Sequence, residues 1–201
     1  MSRAAPAFWL IAGPNGVGKT TYAFRSLEAL TGSVNFINMA EIARGLSPLD
    51  PAAAEGDAAR LALSRARELI AAGRTFAMET TMSGRVHLRL FEMARAVSMR
   101  THLMYFSAAS PEICLQRIAR RVAEGGHDVP EPVVRRRFVR SHSNLPRYTA
   151  ASDLWRLYET SGPRPCLALE GSGRVVAHRD ETCLARANPA LQGFARELGS
   201  V

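Results

Sequence analysis

Ala7-Phe-Trp-Leu-Ile-Ala12 runs directly into Gly13-Pro-Asn-Gly-Val-Gly-Lys-Thr20, and the reading of this stretch decides the fold. Six apolar residues ending at Gly-Pro predict a buried parallel strand. The eight that follow match G-x-x-x-x-G-K-[ST] in full. Glycines let the backbone curl so that successive N–H groups point at phosphate oxygens. A helix expected from Gly18 to about Leu30 adds its positive end. Lys19 is placed to reach the β- and γ-phosphates, and the Thr20 hydroxyl to ligate Mg²⁺. The candidate nucleotide-binding residues are therefore Gly13, Pro14, Asn15, Gly16, Val17, Gly18, Lys19, Thr20 and Thr21. ATP is the expected cofactor, with GTP as the alternative. Lys19 is also the only lysine of the chain, every other basic side chain apart from histidine being arginine.

Outward from this loop, strand and helix signals alternate. Val34–Ile37 is a second strand candidate, and Ala62, Ala66, Leu69 and Ile70 share one face of a helix predicted over Asp57–Ile70 and closed by Gly73. Thr75–Met78 reads as a strand running into Glu79, Val86–Val97 as a helix, and Thr101–Phe106 as a central strand. Ser110-Pro111-Glu112 is a helix start with proline at the first helical position. That helix is expected to set Leu115, Ile118 and Val122 on one side and Arg117, Arg120 and Arg121 on the other. Glu124–Pro132, with two glycines and two prolines, is a loop before a second helix over about Glu131–Ser143. Leu154–Tyr158, Cys166–Leu169 and Val175–Ala177 are short strands, and the tail from Glu181 to Leu198 is helical with a break near Pro189. Strands alternating with helices predict an α/β fold of the P-loop class. Its expected form is a doubly wound, mostly parallel sheet flanked by helices, in a single domain over 1–201.

Composition narrows the function classes. A chain of 201 residues with 47% hydrophobic content can bury a sizeable core. Cys114, Cys166 and Cys183 are too few and too scattered for a disulfide framework or a zinc site, which favours a reducing cytoplasm. The apolar run after Arg3 passes into the glycine loop without a cleavage site, and no stretch reaches membrane-spanning length, so a soluble, untargeted protein is expected. Net charge is +8, and eight arginines fall between Arg117 and Arg147. They flank a glycine-rich loop without interleaved aromatic residues, which fits a lid over a polyanionic ligand better than a nucleic-acid surface.

Several segments carry a resemblance. Phe36-Ile-Asn-Met-Ala-Glu-Ile-Ala43 with Leu46-Ser-Pro48, Phe76-Ala-Met-Glu-Thr-Thr-Met-Ser-Gly84, Gly125-Gly-His-Asp-Val-Pro130, Arg135-Arg-Arg137 and Ser143-Asn-Leu145 resemble, in order, motifs of the zeta toxins. The resemblance weakens after Tyr158, where Glu159-Thr-Ser161 stands for a diverged "DNS". It implies a kinase that transfers the ATP γ-phosphoryl to the sugar 3′-hydroxyl of UDP-N-acetylglucosamine, with Mg²⁺. It also implies a small antitoxin as protein partner.

On the residues themselves, Arg121 and Arg136, with Arg117 behind them, are the arginines expected to close over phosphate. Glu79, at the carboxyl edge of a strand, is a candidate for holding acceptor hydroxyls or a magnesium-bound water, with Thr80 and Thr81 beside it. Asn38 and Glu41 complete the expected acceptor site. His127 and Asp128 read as structural shaping of the lid, Asn144 as a brace, and Trp155 and Tyr158 as core, with Thr160 to Pro163 near the adenine. One position departs from the family pattern: Ala40 stands where the resemblance implies an aspartate base, and a methyl group accepts no proton. An inactivated form, a base role taken by Glu41, and a natural nucleotide-binding pseudokinase all fit that departure. A kinase of another small metabolite is the alternative function.

Overall fold

The computed structural model describes residues 5–198; Arg3 and the extreme ends of the expected domain lie outside them. β1 (Ala7–Ala12) leads through the glycine loop into α1 (Lys19–Thr31), β2 (Phe36–Ile37) and α2 (Met39–Leu46). A short 3-10 turn then opens α3 (Glu55–Ala71), followed by β3 (Phe76–Thr80), α4 (Val86–Ala96) and β4 (Arg100–Ser107). The helical pair α5 (Pro111–Ala123) and α6 (Glu131–Ala150) precedes β5 (Leu154–Glu159), β6 (Cys166–Ser172), β7 (Val175–Arg179), α7 (Glu181–Arg186) and α8 (Pro189–Glu197).

The sheet has seven strands in the order β2-β3-β1-β4-β5-β6-β7. β2 to β5 and β1 are parallel, and β6 and β7 add an antiparallel hairpin at one edge. β1 is buried at every position because both faces of the sheet are covered. Phe8, Leu10, Phe76, Met78, Leu103 and Tyr105 face one core, against α3, α4 and the terminal helices. Trp9, Ile11, Ala77, Met104 and Phe106 face the other, against α1 and α5. α6 joins the two: Val134 and Phe138 belong to the second core, Leu145 and Tyr148 to the first.

Several sequence expectations are corrected. The second strand is confined to Phe36–Ile37, with Val34 exposed, because Ser33 and Asn35 hydrogen-bond to the Thr75 carbonyl instead of continuing a ladder. α5 turns Cys114 and Ile118 inward and leaves Val122 exposed. α6 runs past Ser143 to Ala150 with Pro146 inside it. Just after it, Thr149 Oγ1 donates back to the carbonyls of Leu145 and Pro146 at 3.1 Å. Cys166 and Cys183, expected to stand apart, are joined by a disulfide with Cα atoms 6.1 Å apart, because the β6–β7 hairpin returns α7 to the start of β6. Asp180 lies within metal-ligand reach of the same two sulfurs. Among the described residues, no helix is long and apolar enough to cross a membrane.

Candidate functional site

Parallel strands present their carboxyl ends along one edge, and β1 lies where the connections diverge, α1 leading to one side and α5 to the other. The glycine loop springs from that point. Gly13 adopts φ +139°, and a Cβ there would lie 2.1 Å from the Phe106 carbonyl oxygen. Gly16, at φ +79°, is pressed against the Cys114 backbone of α5, with 2.6 Å to its carbonyl oxygen for an added Cβ. Both positions therefore need glycine, and both hold the loop against the second core.

Lys19 opens α1 and is 5% exposed. Its Nζ donates to the Pro14 carbonyl at 2.8 Å and lies 3.9 Å from Glu79 Oε1. Burial lowers the Lys19 pKa, and Glu79 opposes that shift as the largest favourable charge. The parallel register of β1 and β3 pairs Ile11 with Glu79 and Ala12 with Thr80, which sets the carboxylate beside the loop. Thr20 Oγ1 donates to Glu79 Oε2 at 2.8 Å, and Asn38 Nδ2 donates to the same oxygen at 3.1 Å. One carboxylate thus ties the glycine loop, the first turn of α1 and the start of α2 together.

This cluster forms the floor of a cavity of about 1480 Å³, larger than the roughly 300–1,000 Å³ of a single small-ligand pocket. One wall is Gly16 to Thr21, Arg117, Arg121, Tyr158 and Thr160, continued by Gly162–Pro165. The opposite wall is Asn38 to Glu41, Arg44 and Glu79 to Thr81, with Ser83 and His87. Asn38 caps α2, accepting from the N–H groups of Ala40 at 2.9 Å and Glu41 at 3.4 Å, so Ala40 holds the second helical position with its methyl exposed. Glu41 lies 3.6 Å from Arg44, its partner on the next turn.

The lid arginines are placed individually. Arg117 donates to the Thr160 carbonyl at 2.5 Å, and Arg121 to the His127 carbonyl at 2.5 Å, which closes the glycine loop back on α5. Partial burial and then the charge of Arg44 lower the Arg121 pKa, and both side chains line the cavity. Arg137, not Arg136, reaches the glycine loop, donating to Asn15 Oδ1 at 3.3 Å; Arg136 is exposed and outside the cavity lining. Helical phase explains the difference. Arg137 sits three residues after buried Val134 and one before buried Phe138, whereas Arg136 falls on the outer face. Asp128 accepts from the Val129 N–H at 2.7 Å, in keeping with its expected shaping role. Asn144, inside α6, braces a distant loop by donating to the Met82 carbonyl at 3.0 Å. Trp155 is core, but Tyr158, stacked on Phe106, also borders the cavity. The run Arg135–Arg137 was expected in the lid with Arg136 favoured over Arg137, while Arg44 and His87 were not expected as site residues. For Arg137 the period of α6 carried a usable signal, while Arg44 and His87 had none.

Residues 8–145 match the AAA domain family. The chain belongs to that family. Among relatives of this AAA domain, an uncharacterized protein of Haemophilus influenzae is 32% identical over 126 residues, 63% of this chain and 88% of that protein. The crystal structure of AvrRxo1-ORF1:-ORF2 with ATP superposes with a TM-score of 0.70 at 16% identity. That match covers 95% of this AAA domain chain and 63% of the other, so the chain spans less than two-thirds of that protein. The PezAT chromosomal toxin-antitoxin system of Streptococcus pneumoniae gives a TM-score of 0.63 at 15% identity, covering 98% of this chain and 88% of that one. These likenesses show the fold, a P-loop kinase-like α/β domain with a mostly parallel seven-stranded sheet.

Proposed function

We propose that the chain is a zeta-toxin-like kinase. It transfers the γ-phosphoryl of ATP to the sugar 3′-hydroxyl of UDP-N-acetylglucosamine, with turnover impaired by Ala40. The observation that carries this reading is the shared carboxylate of Glu79, which meets Thr20 and Lys19 of the glycine loop and Asn38 of the opposite wall. A phosphoryl donor and a hydroxyl acceptor have to meet above such a point. The Thr20 hydroxyl and Glu79 carboxylate, 2.8 Å apart, are hard oxygen donors that suit Mg²⁺. When bound, that ion neutralises phosphate charge.

In the transfer, the acceptor hydroxyl oxygen bonds to the γ-phosphorus, the bond to the β–γ bridging oxygen breaks, and ADP leaves. Lys19 holds the β- and γ-oxygens, and Arg117, Arg121 and Arg137 neutralise charge from the lid side. With no carboxylate at position 40 to receive it, the hydroxyl proton passes to water or to an oxygen of the transferred phosphoryl group, which is the slower route. Glu41 lines the same wall, but its carboxylate is engaged by Arg44 at 3.6 Å. A pseudokinase is the second reading, favoured by the Ala40 methyl alone. A small antitoxin is the proposed protein partner, supported by the likeness to the PezAT system.

The test is incubation of the chain with ATP, Mg²⁺ and UDP-N-acetylglucosamine, followed by mass spectrometry. A singly phosphorylated sugar nucleotide, formed slowly by this chain and faster by Ala40→Asp, supports the kinase reading. Tight ATP binding with no phosphorylated product from either form counts against the acceptor.

A further inference from the structure

His87, in the first turn of α4, stands on the acceptor wall of the cavity. Its Nδ1 is sealed from solvent and has no hydrogen-bond partner. Nε2 is therefore the ring nitrogen left open to the cavity. An orphaned buried ring nitrogen is costly, and an apolar side chain of similar size would fill the same space without that cost. Packing alone gives no reason for a histidine here.

The approach to His87 is also fixed at a cost. Met82, fully buried, adopts φ +53°, a left-handed conformation rare for a side chain of its size. Three contacts hold it there. The Met82 N–H donates to Thr80 Oγ1 at 3.0 Å, Asn144 donates to the Met82 carbonyl at 3.0 Å, and the Tyr148 hydroxyl donates to the Gly84 carbonyl at 3.0 Å. A loop held this firmly, running from Thr81 to Arg85, sets the imidazole at one place relative to Glu79.

Resting on the reading of this wall as the acceptor side, we propose that His87 binds the phosphoryl acceptor through Nε2, by a hydrogen bond to an uncharged hydroxyl or carbonyl oxygen. Burial holds the imidazole pKa at about 4, so the ring is neutral at physiological pH. A neutral ring selects an uncharged polar group, leaving phosphate to the arginines opposite. With Nδ1 buried and offered no acceptor for a proton, the ring carries its hydrogen on Nε2 and is a donor, which matches an oxygen that accepts.

Calorimetric titration tests this on the full chain saturated with Mg²⁺ and a non-hydrolysable ATP analogue. UDP-N-acetylglucosamine and, separately, gluconate serve as acceptor probes. His87→Leu is expected to weaken the probe that binds by about 10-fold, and His87→Gln, which returns an N–H donor, to recover most of the loss. Affinity for the ATP analogue stays unchanged in both variants, which certifies the fold. If His87→Leu fails to hold the analogue, His87→Phe replaces it and keeps the ring volume. Equal probe affinity in the unmodified and apolar variants overturns the role of His87 and leaves the kinase reading standing. Binding of gluconate alone, lost in His87→Leu, upholds His87 and overturns the sugar-nucleotide acceptor. Binding of neither probe to the unmodified chain overturns both.

Discussion

Restoring a carboxylate at position 40 is the perturbation that separates a disabled kinase from a binding module. Ala40 is the second residue of α2, its N–H already satisfied by Asn38, and its side chain opens onto the cavity. An aspartate there meets no packed neighbour and gains about 0.3–1 kcal/mol from the positive end of the helix. The nearby Glu41 and Glu79 offset part of that gain, so Ala40→Asp leaves the melting temperature within a few degrees. A positioned general base contributes about 10²–10⁴-fold, equivalent to about 3–5 kcal/mol of barrier. Because the base acts only in the transition state, the gain belongs in kcat, with KM for UDP-N-acetylglucosamine nearly unchanged. Initial rates of product formation at saturating ATP–Mg²⁺ provide the assay, and Ala40→Asn provides the control of equal shape without a base. A folded, ATP-binding Ala40→Asp with the same kcat as Ala40→Asn would refute the reasoning.

Acidification is expected to weaken the fold through two histidines. Burial lowers the pKa of His142, whose Nδ1–H donates to the Phe138 carbonyl at 2.8 Å while Nε2 accepts from Ser107 and Asn188; His87 is lowered to about 4. Each binds a proton less readily when folded than when unfolded, so the contribution is complete above about pH 6.5 and is lost as pH falls below it, for His87 through about 4. His87 alone accounts for at most about 3 kcal/mol, and urea denaturation at pH 7.5 and 4.5 should show a smaller drop for His87→Gln. Asn144→Ala strands the Met82 carbonyl, and should cost about 1–3 kcal/mol in denaturant while raising KM for the acceptor more than for ATP. Reduction of Cys166–Cys183, 17 residues apart in sequence, should lower stability by about 3 kcal/mol in guanidinium titrations with and without reductant. An unchanged midpoint would count against that bond in solution.

The centre of this molecule was legible because its chemistry is local. Strand, glycine loop and helix are contiguous from Ala7 to Thr31, and each local preference agrees with the others. Glu79 could be placed at a strand end, but its meeting with Thr20 depends on β1–β3 register, which no local pattern fixes. The choice between Arg136 and Arg137 turned on helical phase inside a run of three identical residues. His87 carried no signal at all, since its role depends on a loop braced from α6, about 60 residues later in sequence. The disulfide was missed for the same reason: a hairpin brings Cys166 and Cys183 together, and spacing alone does not reveal it.

Calorimetric titration with a non-hydrolysable ATP analogue, with and without Mg²⁺, for this chain and for Lys19→Met, tests the nucleotide site most directly. Lys19 is buried, so methionine fits its place, and the variant is expected to fold. The unmodified chain should bind one analogue per chain and more tightly with Mg²⁺, and Lys19→Met should bind about 100-fold more weakly, the loss of two charge-assisted contacts. Equal affinity in the two proteins, with no effect of Mg²⁺, would contradict a triphosphate site at Gly13–Thr20.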